Sequence, residues 1–153
     1  MSNERSYERL LVIANETIAG SGLHRQIRDM LTEGGKVLVV APALSSRLKY
    51  VFSDVDGPRA QAQERLDRSL ELLAASGIRA RGEVGDVNPV RAFEDEVALF
   101  EPDAVLVSTH PEGRSHWLEN HIVEKIEAKT DLPVTHVVVD LTAEEAAARI
   151  AAA

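Results

Sequence analysis

The chain contains no cysteine. That absence excludes disulfides, thiolate metal centres and cysteine nucleophiles, and it leaves redox logic silent on the compartment. Long apolar runs are missing as well. The amino terminus, MSNERSYERLLVIAN, holds an apolar stretch of only five residues, too short for a signal peptide or a membrane span. No membrane association and a cytoplasmic location are therefore expected. Positive charge is scarce: 17 Lys and Arg stand against 25 Asp and Glu, for a formal net charge of −8 and a pI near 5.1. Such a field opposes long-range attraction to nucleic acid or anionic lipid, so neither is expected as a partner. A local patch of cations could still hold a small anion. The chain has no G-x-x-x-x-G-K-[ST] and no G-x-S-x-G, which removes the P-loop and the nucleophile elbow.

What is present is an ordinary globular composition, 44% hydrophobic and 27% charged over 153 residues, enough for one domain with a full core. Short β-branched runs alternate with helical periods, the pattern of a parallel sheet flanked by helices. Strands are expected at Leu10–Ala14, Lys36–Ala41, Ile78–Val84, Ala104–Val107 and Val134–Val139. Between them, Leu23, Ile27, Met30 and Leu31 mark a first helix stopped by Gly34-Gly35. Pro58 opens a second, with Leu66, Leu70 and Leu73 as its stripe and Gly77 as its end. Asn88-Pro89 reads as an N-cap and first-turn proline, followed by Val90, Phe93, Val97 and Phe100. Leu118, Ile122 and Ile126 line a fourth helix, and Thr142 with Glu145 has capping-box spacing before an alanine-rich tail expected to be helical. The expected fold is α/β: a doubly wound, Rossmann-like sheet of five parallel strands in the order 3-2-1-4-5, with helices on both faces. One domain spans residues 1–153, with 1–8 and 142–153 as terminal extensions.

In such a sheet ligands collect at the carboxyl ends of the strands where the order reverses, here between the first and fourth strands. The turn after the fourth strand is rich in suitable groups: Ser108, Thr109, His110, Gly113, Arg114 and Ser115. Hydroxyls, a glycine and a forked guanidinium ahead of a helix amino end suit an anion such as phosphate. The same residues could equally cap a loop. Asn15, Glu16 and Thr17 follow the first strand and could meet a ribose or base, or build a plain turn. Pro42 and Ala43 could offer backbone groups to an adenine edge, or simply end their strand. Arg47 and Lys49 stand in the irregular segment 42–57, where a solvated loop is the plainer reading.

Gly20 and Gly22 form a partial G-x-G-x-x-G whose third position is Arg25, and no acidic residue closes the second strand, which argues against a dinucleotide. His110, His116 and His121 lie near Glu112, Glu119 and Glu124, yet His116 and His121 point about 140° apart on a helix. No metal is expected there. Trp117 is assigned to core or interface packing.

Four segments resemble the universal stress protein family: VGD-NP at Val84 to Pro89, GRS at Gly113 to Ser115, VEK at Val123 to Lys125, and the closing DLPVTHVVV. The likeness runs over nearly the whole chain and implies the fold just described, a homodimer, and a nucleotide such as ATP or AMP as ligand. Nucleotide-binding members carry a glycine, two residues, a second glycine, nine residues, then a glycine followed by serine or threonine. Counted back from Val123, that final pair falls on Asn120 and His121, and the earlier glycines fall on His110 and Val107; with Gly113 taken instead as the second glycine, the spacing to Asn120 is three residues short. The family's first-strand aspartate has its counterpart near Asn15. The expected function is a regulatory module that binds a nucleotide or another phosphorylated small molecule. The alternatives are a homodimeric scaffold without a ligand, and a small enzyme acting on a phosphorylated metabolite through His110 or Arg114. Pairing of the apolar edge strand Val134–Val139 with its copy would form the dimer.

Overall fold

Three runs with an apolar side chain at every position, LLVIA, VLVVA and AVLV, lie side by side as the middle of one sheet. A strand buried on both faces needs that composition, and these side chains are at most 2% exposed. The computed structural model describes residues 7–14, 21–42, 58–85, 88–109 and 121–139. Within them the elements run β1 (Tyr7–Ile13), α1 (Ser21–Met30), β2 (Leu31–Pro42), α2 (Pro58–Ala75), β3 (Arg79–Gly85), α3 (Pro89–Phe100), β4 (Ala104–Thr109), α4 (Ile122–Glu127) and β5 (Val134–Val138). The sheet order is β3-β2-β1-β4-β5, and every neighbouring pair is parallel. This is the expected doubly wound arrangement.

Alternation along the strands divides the core in two. Leu10, Val12, Val37, Val39 and Leu106 meet Leu23 and Ile27 of α1 and Leu66 and Leu73 of α2 on one face. Leu11, Ile13, Leu38, Val40, Val105 and Val107 meet Phe93 and Phe100 of α3 and Ile122 and Ile126 of α4 on the other. None of the described helices is long and apolar enough to cross a membrane.

Helix ends follow local chemistry. Asn88 accepts hydrogen bonds from the Val90 and Arg91 amides at 2.9 and 3.4 Å, the N-cap read from the sequence. Gly77, at φ +82, closes α2: its amide donates to the Ala74 carbonyl at 2.9 Å and the Ile78 amide to Leu73 at 3.0 Å. This is a Schellman ending, which needs a residue tolerant of left-handed backbone.

The first helix departs from expectation. It stops at Met30, and Leu31 is already in β2, paired with Tyr7. Register then jumps, with Arg9 opposite Lys36, so Gly34 (φ +81) and Gly35 form an irregularity in β2 and not a helix cap. Leu31 still packs against the α1/α2 core. Its burial was legible, but its backbone state was decided by pairing with β1.

The amino edge of the sheet is tied together by Asp103. Its carboxylate accepts from the Glu8 and Arg9 amides at 2.9 and 3.1 Å. Arg9 in turn donates through its guanidinium to the Phe100 carbonyl and stacks 4.8 Å above the Phe100 ring. These contacts join the start of β1 to the end of α3.

Candidate functional site

Register aligns the carboxyl ends of the central strands. Ile13 is level with Val40 on one side and with Val107 on the other. The next positions toward the carboxyl edge are Ala41, Ala14 and Ser108, and Ala14 donates its amide to the Val40 carbonyl at 3.1 Å. Pro42 ends β2 opposite Gly85 of β3. Successive strands are about 4.8 Å apart, so Pro42 and the end of β4, with β1 between them, bracket a mouth about 10 Å wide. Consecutive strands run outward from β1 in both directions, which makes this the point of reversal.

Ser108 and Thr109, read from the sequence as anion ligands, are strand residues at that mouth, 1% and 2% exposed. By alternation Ser108 faces the α1/α2 side and Thr109 the α3/α4 side. Thr109 Oγ1 lies 2.8 Å from Nε2 of His136 on β5, and its carbonyl accepts from the Val139 amide at 2.8 Å. A hydroxyl both donates and accepts, so one bond to imidazole leaves it able to make another. His136 was not singled out in the sequence. It sits inside the run VTHVVV, and only the diagonal offset between β4 and β5 brings it to Thr109.

His121 precedes α4 in a left-handed conformation, φ 56, and makes no side-chain cap. Its Nδ1 is 3.6 Å from the Glu124 carboxylate, with both side chains largely exposed. Asn15, Glu16, Thr17, Ala43, His110, Gly113, Arg114, Ser115 and Asn120 lie outside the described residues. So do Arg47, Lys49, His116, Trp117, Leu118 and the alanine-rich tail. Of the expected site, the structure therefore assembles Pro42, Ser108 and Thr109 on one edge, with His121 at the head of α4.

A cleft of about 640 Å³ runs between α3 and α4 from that edge, lined by Asn88, Pro89, Val90, Ile122, Lys125, Ala128 and Lys129. Lys129 is 3.5 Å from the Glu94 carboxylate. Among the described residues, no group of three or more His, Asp or Glu is placed to hold a metal ion.

No protein-family model matches the sequence, and no curated protein matches it. Solved structures do match the fold. A universal stress protein from Archaeoglobus fulgidus superposes with a TM-score of 0.58 at 14% identity, over 86% of this chain and 94% of that one. A universal stress protein family member from Arabidopsis thaliana, with AMP bound, gives 0.61 at 13% identity, over 86% and 92%. The Archaeoglobus fulgidus universal stress protein in complex with dAMP gives 0.56 at 14% identity, over 84% and 97%. The fold is that of the universal stress proteins. Val107, on which the family's first glycine falls when counted back from Val123, is fully buried inside β4.

Proposed function

We propose that this chain binds a nucleotide or another phosphorylated small molecule at the carboxyl edge between β1 and β4, in a regulatory and non-catalytic role. The observation that carries the reading is the strand reversal at that edge, with the buried hydroxyl residues Ser108 and Thr109 at its rim. Structures of the same fold with AMP and dAMP bound support it. AMP or ATP is the preferred ligand, held by Ser108 and Thr109 together with the polar turn His110, Gly113, Arg114 and Ser115. Asn15, Glu16, Thr17, Pro42 and Ala43 contribute to the nucleoside side, with Asn120 and His121 as further ligand residues. Calorimetric titration with AMP, ADP and ATP tests this. Saturable binding that Arg114→Ala weakens is expected. Absence of heat with all three nucleotides would overturn it.

A second reading, a homodimeric scaffold without a ligand, is favoured by one observation. Val107, on which the family's first glycine falls when counted back from Val123, is a fully buried core residue, whereas a glycine there would let the backbone come close to phosphate. Under either reading we place the dimer at β5. The two edges of the sheet differ: β3 reads RARGEVG, with charges that discourage strand pairing, whereas β5 reads VTHVV with Val138 52% exposed. Light scattering should report twice the 16.7 kDa chain mass. A value equal to the chain mass would remove the dimer.

A further inference from the structure

One cationic side chain of α2 has a buried donor with nothing to accept from it. Among the described residues, the Nε of Arg65 is shielded from solvent and has no hydrogen-bond partner. Buried polar groups are nearly always satisfied, and a donor on a charged group is the costliest to leave bare. The sequence explains why no carboxylate of α2 answers it. One turn away in either direction stand Gln61, Ala62, Arg68 and Ser69. Glu64 projects about 100° round the helix, and Asp67 accepts from Gln63 at 2.8 Å instead.

Two contacts locate Arg65. Ser69, one turn further along α2 and 1% exposed, meets Nε2 of His24 on α1 at 2.9 Å, so this flank of α2 is turned toward α1. Leu66, the next residue, lies over β3, where a Cβ built on Gly82 would stand 2.6 Å from its Cδ1. Gly82 is level with Val39, and Val39 with Val12, two positions short of the carboxyl edge. Both helices follow strands that end at that edge, and helical side chains lean toward the amino end of their own helix. His24 stands one turn into α1, which begins at Ser21. Arg65, one turn before Ser69, therefore comes level with the amino end of α1. The first turn of α1 has no acidic residue, so the positive end of its dipole also lacks a counter-charge from its own helix.

We propose that Arg65 and the amino end of α1 form a phosphate-binding site between α1 and α2, separate from the mouth between β1 and β4. A phosphate group presents several acceptor oxygens to one planar guanidinium, so Nε and a terminal nitrogen can donate to it together. An ordered water would satisfy the Nε hydrogen bond but would bring no charge to either the guanidinium or the helix dipole. The His24–Ser69 bond holds the two helices together one turn below and so sets the spacing of the site. It does not depend on any ligand at the β1/β4 mouth.

The test titrates inorganic phosphate into the nitrogen-15 labelled full chain, with chloride adjusted to hold ionic strength constant. The Arg65 Nε–H resonance should shift saturably and exchange more slowly with water, together with the Gly22 and Leu23 amides of α1. The Nε–H of Arg68, exposed on the same helix, should not follow. Arg65→Lys keeps the charge and the alkyl stem but loses the fork, and should weaken phosphate binding about tenfold. Arg65→Gln should abolish it. An Arg65 Nε–H that ignores phosphate would overturn the proposal and leave an ordered water as its partner. A response shared equally by Arg68, or unweakened binding in Arg65→Lys, would overturn it as well, since either reports charge without a built site. Should Arg65→Gln not fold, the wild-type resonance and the Lys variant decide.

Discussion

Gly85→Ala isolates the contact that seats α3 on the sheet. The added methyl would stand 2.9 Å from Val40 Cγ1 and 3.1 Å from the Ala92 Cβ. Neither neighbour can retreat easily, because Val40 is fully buried in the core and Ala92 is 1% exposed with its Cβ fixed to the helix backbone. Overpacking of this kind costs about 1–3 kcal/mol. Gly85 is not at positive φ, so alanine also narrows the unfolded ensemble and returns about 0.4–1 kcal/mol. The net expectation is a loss of about 1–2 kcal/mol, read as a lower urea midpoint at unchanged slope. Val40→Ala removes the nearer obstacle. It destabilises on its own by leaving a cavity, yet Gly85→Ala placed on it should cost about 1 kcal/mol less than in wild type. Equal cost in both backgrounds would show that the Val40 contact is not the source. A fully stable Gly85→Ala protein would refute the close approach itself.

Two further substitutions test the ends of α3. Asn88→Ala removes the acceptor of the Val90 and Arg91 amides and should cost about 1 kcal/mol in chemical unfolding, whereas Asn88→Ser should retain most of it. Asp103→Ala releases the Glu8 and Arg9 amides and should cost about 1–2 kcal/mol. Faster exchange of those amides by NMR would accompany it, and undiminished protection would count against the tie.

The order of elements was legible because periodicity and turn chemistry agreed. LLVIA, VLVVA and AVLV could only be central strands, and Asn88-Pro89 and Gly77 end helices where their backbone preferences place them. Leu31 was misread because an apolar residue at the end of a helical stripe suits either state, and strand pairing with Tyr7 decided it. The Thr109–His136 bond was hidden for a different reason. Partners on adjacent parallel strands, 27 residues apart, are fixed by register, which no local pattern encodes. Of the candidate site, the sequence supplied residue types, and the structure places Ser108 and Thr109 at the carboxyl end of β4.

The central claim is that a phosphorylated ligand sits at the carboxyl edge between β1 and β4. Titration of AMP into nitrogen-15 labelled protein tests it most directly. Saturable shifts of the Ala14, Ala41, Ser108 and Thr109 amides are expected, while Lys36 and Arg79 at the opposite edge stay unchanged. Shifts confined to other faces, or none at saturating nucleotide, would contradict it.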